Sequence, residues 1–176
     1  HLRDNLIAAH GTVHPAVRVT RASNQAIPTG SYNTSTTAGV EVEKWRPTSI
    51  DWSTFTYDTA SMWPGGEEIV IPSGADGLWE VGAIGQWEDT SGTANNPALW
   101  IERNGLDGSA GVTGWVVGHT AYDQFMSTAD IWPSVAADLR LVAGDTLVTT
   151  VAQDQASTGT TINISSCAMW ATWVAD

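Results

Sequence analysis

The chain has 176 residues, enough for one domain with a sizeable core and no disulfide or metal staples. Its formal net charge is −12, with only seven Lys and Arg, which argues against a nucleic-acid partner and against charge-driven binding to anionic lipid. Cys167 is the only cysteine, so no intrachain disulfide can form, and no apolar run reaches the ~18 residues of a membrane-spanning helix.

Residues 1–14 read as a helical anchor and linker. Leu2, Leu6 and Ile7 recur near helical spacing, and Gly11 supplies the stop. So short a helix is marginal alone, so its apolar stripe is expected to dock on the domain, a sister chain or a larger particle. His10 and His14 are four apart, but Gly11 breaks the helix that would align them as a metal pair.

From Pro15 the pattern changes to period two, and residues 15–176 read as one all-β domain. Expected strands begin with residues 16–21 and 40–45, then 68–72, closed by Pro72, and 78–87. Residues 98–103 follow and run into Asn104-Gly105, a hairpin signal because both residues tolerate positive φ. Residues 115–122, 134–142, 146–154 and 166–175 complete the set, with Gly144-Asp145 as a turn. About nine or ten strands with turns between them predict an antiparallel sandwich.

Ten Trp in one domain admit two readings: an aromatic-rich β core, or stacking platforms for sugars. Alternation puts Trp79, Val81, Ala83 and Trp87 on the interior side of their strand, with Glu80, Gly82 and Ile84 toward a partner. The last strand is apolar on both faces: Met169, Ala171 and Trp173 on one, Trp170 and Val174 on the other. One face can fill the sandwich, and the other needs a second partner. Met169, Ala171 and Trp173 are assigned with Glu80, Gly82 and Ile84 to the self-association surface.

The long polar loops are 58–66, 89–97 and 107–114, and binding is expected on such loops. Met62 and Trp63, in the turn-forming stretch before Pro64-Gly65-Gly66, are the candidate ligand contacts. Trp63 either caps the core from outside or offers a stacking face.

No catalytic set stands out, and no catalytic residue, metal or cofactor is expected. Glu67, Glu68, Glu80, Glu88 and Glu102 invite a glycosidase reading, but such an enzyme needs two carboxyls facing across a cleft. The sequence singles out no opposing acid, and these read as solvated or interface carboxylates. His119 and Asp123 lack a nucleophile-elbow serine. Cys167 falls in a core strand and reads as an inert thiol. Asp89, Asp107 and Asp145 lack the spacing of a calcium loop.

Two blocks resemble a known family. Residues 69–81, Ile-Val-Ile-Pro-Ser-Gly-Ala-Asp-Gly-Leu-Trp-Glu-Val, and residues 139–147, Leu-Arg-Leu-Val-Ala-Gly-Asp-Thr-Leu, look like the strand blocks of the tumour necrosis factor and complement globular-head superfamily. Residues 16–19, Ile27-Pro28 and 167–174 fit its first and closing strands. Met169-Trp170-Ala171 departs from the family's usual aromatic-Ser-Gly step. Arg3-Asp4-Asn5-Leu6 ahead of such a domain resembles tail-appendage proteins of bacteriophages. The resemblance implies a ten-stranded jelly roll, a homotrimer and no enzymatic activity. It also implies a virion-surface location, attachment to other virion proteins through the N-terminal helix, and binding to a host-surface glycan or protein. The alternatives are a capsid decoration protein, a glycan-active enzyme and a carbohydrate-binding module.

Overall fold

The computed structural model describes residues 14–28, 35–37, 40–42, 48–88, 98–104, 115–121, 132–152 and 161–175. The strands are β1 (Ala16–Arg21), β2 (Gln25–Pro28), β3 (Ser35–Thr37), β4 (Val40–Val42), β5 (Thr48–Ser49), β6 (Thr54–Asp58) and β7 (Glu68–Val70). They continue with β8 (Gly77–Glu88), β9 (Ala98–Arg103), β10 (Trp115–Ala121), β11 (Ser134–Leu141), β12 (Thr146–Ala152) and β13 (Thr161–Ala175). The proposed N-terminal helix, with Leu2, Leu6 and Ile7, lies outside the described residues, as do loops 89–97 and 107–114.

Two antiparallel sheets enclose the core. One runs β11-β8-β13-β1-β6, with β2 also on β13; the other runs β10-β9-β12-β5, with β7 also on β12. Among the described residues, strands β3 and β4 pair only with each other. The ten expected strands are thus thirteen segments among the described residues. The increase comes partly from interruption: β2 continues β1 along one edge of β13, and β7 and β5 share one edge of β12. Strands β3, β5 and β6 lie outside the expected ones, and β13 starts five residues before the expected Ser166.

The interior follows from alternation. Trp79, Val81, Ala83 and Trp87 of β8 are buried, with Val17 and Val19 of β1 and Met169 and Ala171 of β13. The opposing sheet contributes Leu99, Ile101, Leu147 and Val151. Trp79 also donates its Nε1–H to the Ala75 carbonyl at 3.0 Å, so its polar atom is satisfied in the core.

Two expectations fail locally. Asn104-Gly105 is not a two-residue hairpin turn, because Trp115 pairs opposite Arg103 and residues 104–114 make the connection. Asn104 does take a positive φ of 59°, but its side chain is used elsewhere, as described below. Met169 and Ala171 do not face a partner: both are fully enclosed, and Trp173 packs against the same core. Their cross-strand neighbours are Ala83, Val81 and Trp79, and directly paired residues share a face.

Replacing Trp79 by Ala removes a fully buried indole and its bond to Ala75. The variant is expected to lose about 3–5 kcal/mol of unfolding free energy, measured by urea denaturation. A loss below about 1 kcal/mol would place the indole outside the core.

Candidate functional site

The residues that β8 turns away from the core build a surface with their neighbours. Register places Thr172 and Asp138 on either side of Glu80, Trp170 and Ala136 beside Gly82, and Ala168 and Ser134 beside Ile84. Beyond β13, Arg18 pairs with Trp170, and Tyr57 of β6 pairs with Arg18. The central row therefore reads Ala136, Gly82, Trp170, Arg18, Tyr57. The second large sheet lies on the opposite side.

Gly82 lets the Trp170 ring lie close against β8. A Cβ there would overlap the indole of Trp170 at Cζ2, so the ring rests on the bare backbone. The Arg18 guanidinium carbon stands 5.8 Å from the Trp170 ring centroid, in cation–π range. Trp170, Arg18 and Ile84 are half-buried, whereas Glu80, Asp138, Ser134 and Ala136 are exposed. A large aromatic and an Arg at the centre with polar groups around them is the composition of a protein interface. Glu80, Gly82 and Ile84 do share this outward surface, but the β13 residues beside them are Thr172, Trp170 and Ala168, not the ones expected.

The loop candidates fare differently. Met62 is fully buried in the core, so it is not available as a ligand contact. The Asp58 carboxylate holds it there, accepting from the N–H groups of Met62 and Trp63, both at 2.9 Å. Trp63 is half-buried against the core, donates its Nε1–H to Gly66 O at 3.1 Å and meets Phe55 edge-to-face at 5.9 Å. This is the capping role.

Among the described residues, the carboxylates weighed for a glycosidase stand apart or on an open face. Glu67, Glu68 and Glu80 are exposed. Glu80 and Asp138 sit side by side on an open sheet, not across a cleft. Glu102 is buried, contrary to the solvated reading, and accepts the Trp100 Nε1–H at 2.6 Å. Asp123 lies outside the described residues, and His119 is placed on β10 opposite Trp100. Among the described residues, no group of three His, Cys, Asp or Glu could hold a metal ion.

Asp145, weighed above as a calcium ligand, closes a clamp. It ion-pairs with Arg103 Nη2 at 2.7 Å and accepts from Asn104 Nδ2 and the Val142 N–H, both at 2.8 Å. Asn104 in turn accepts the Thr146 N–H at 3.0 Å. The clamp ties the end of β9 to the β11–β12 turn, where Gly144 takes a φ of 89°. Burial pushes the Asp145 carboxyl up, but the bonds from Val142, Asn104 and Arg103 outweigh it and hold it below its ordinary value. Cys167 is buried, and desolvation pushes its thiol up to about 12.

The comparisons agree on the fold. The chain is similar to the globular domain of zebrafish complement 1qA protein, with a TM-score of 0.60 and 11% identity over 92% of this chain and 98% of that one. It is similar to murine APRIL with a TM-score of 0.59 and 11% identity, covering 92% of this chain and 100% of that one. The described residues thus share the jelly-roll fold of these two structures. No family model matches the chain, and no curated protein matches its sequence.

Two chemical consequences are expected. Asp145 has a depressed pKa, so its contribution is full above the unfolded value and lost as pH falls through the folded one. The stability gap between wild type and Asp145→Asn should therefore be widest at neutral pH and shrink below about pH 4. A gap constant across that range, by urea denaturation, would remove the charge from the account. The Cys167 thiol should resist a maleimide at pH 8 in the native protein and react fully in denaturant; rapid native labelling would contradict its burial.

Proposed function

We propose that this chain is a non-enzymatic, homotrimeric jelly-roll head that works by assembly and binding. The observation that carries the reading is the outer surface centred on Trp170 and Gly82. A half-buried Trp over bare backbone, with small Ala136 and Ala168 around it, lets another chain approach closely. Burying such an aromatic against a second copy contributes strongly to association. The trimeric order is supported by the family that residues 69–81 and 139–147 resemble, and the fold likeness is compatible with it. That likeness also favours a binding head over an enzyme.

The place of this head on a virion appendage, anchored by residues 1–14 and contacting a host surface, is the finer part of the proposal. It is supported by the Arg3-Asp4-Asn5-Leu6 resemblance alone.

At micromolar concentration, multi-angle light scattering should report three times the 18.7 kDa chain mass. Trp170→Ala should keep the circular dichroism of the fold and weaken assembly at least about tenfold. A monomeric wild type would overturn the reading.

A further inference from the structure

The candidate self-association surface carries an unbalanced charge pattern. Asp138 stands directly opposite Glu80 on neighbouring strands, both exposed. Like charges so placed repel each other. Arg140 lies two positions from Asp138 on the same face of β11 and offsets part of this repulsion.

Arg18 presents the opposite problem. It is half-buried, and its outward neighbours are Ala16, Thr20, Trp170 and Tyr57, none of them acidic. Four cations fall among the described residues. Arg21 pairs with Asp51 and Arg103 with Asp145, while Arg18 and Arg140 make no ion pair among those residues. A partly desolvated cation without an anion is costly. Among the described residues of one chain the match is out of reach. Arg18 lies two strands from Glu80 and three from Asp138, roughly 10 and 14 Å across the sheet, with Trp170 between.

We infer that Arg18 of one copy pairs with the Glu80–Asp138 carboxylates of a second copy, and that this contact sets how the copies orient. The inference rests on the self-assembly reading above and adds its electrostatic determinant. The acidic flank lies on β8 and β11 and the basic one on β1, at opposite sides of Trp170. Each copy thus offers a donor and an acceptor, as a head-to-tail ring requires. For a chain of net charge −12, copies otherwise repel at long range, so a placed cation also selects one approach.

The test is charge reversal in the full chain, read by sedimentation velocity with circular dichroism as the fold check. Arg18→Glu, and separately Glu80→Arg with Asp138→Arg, should each weaken assembly at least about tenfold. All three changes in one chain should restore it to within a few-fold of wild type. Should a reversal disturb the fold, Arg18→Gln and Glu80→Gln form a milder double-mutant cycle, in which the double variant should lose less than the sum of the singles. Wild-type-like assembly of the single-flank variants, no rescue on combination, or additivity in the cycle would overturn this inference while leaving the assembly reading intact. A monomeric wild type would overturn both.

Discussion

The antiparallel pairing of β13 along both its edges is the constraint on which the rest depends. Strand β8 lies on one side of it, and β1 and β2 lie on the other. A strand held on both sides cannot rotate, so each of its side chains is committed to one face. Ile164 and Cys167 are three positions apart and would fall on opposite faces of an unbroken strand, yet both are in the core. The bulge between Ser165 and Ala168 supplies the extra residue, and Ser166 there takes a positive φ of 50°. That local kink brings Met169 and Ala171 inward and leaves Trp170 outward.

The polar groups divide along the same line. Asp145 accepts from Arg103 and Asn104 at the end of the sandwich, and Asp58 accepts from the backbone of its own turn. These groups hold the scaffold and have little left to offer a ligand. The outer surface behaves in the opposite way: Arg18, Glu80 and Asp138 have no opposite-charge neighbour across the strand.

The fold likeness at 11% identity shows how little side-chain detail the jelly roll requires. Its demands are apolar residues at alternate positions, a glycine where chains crowd, and turns of the right length. Trp170 over Gly82 and the Arg18 flank are not among those demands, so they are the features that argue for a role particular to this chain.

Period-two patterning alone determined the sandwich, most strand positions and the interior side of β8, because a strand's side-chain alternation is a property of its own backbone. It also determined that the last strand is apolar on both faces. Which face turns inward was not legible, since Met169, Ala171 and Trp173 are as apolar as Trp170 and Val174, and the bulge that sets the phase follows an unremarkable Ser-Ser pair. Strand β6, Thr-Phe-Thr-Tyr-Asp, carries an alternating signal of its own. The candidate site was legible only in part: alternation on β8 puts Glu80, Gly82 and Ile84 on the outward side, but it does not say which residues of other strands stand beside them. Residues 18, 57, 82, 138 and 170 are far apart in the chain, and only cross-strand register, a product of tertiary pairing, brings them onto one surface.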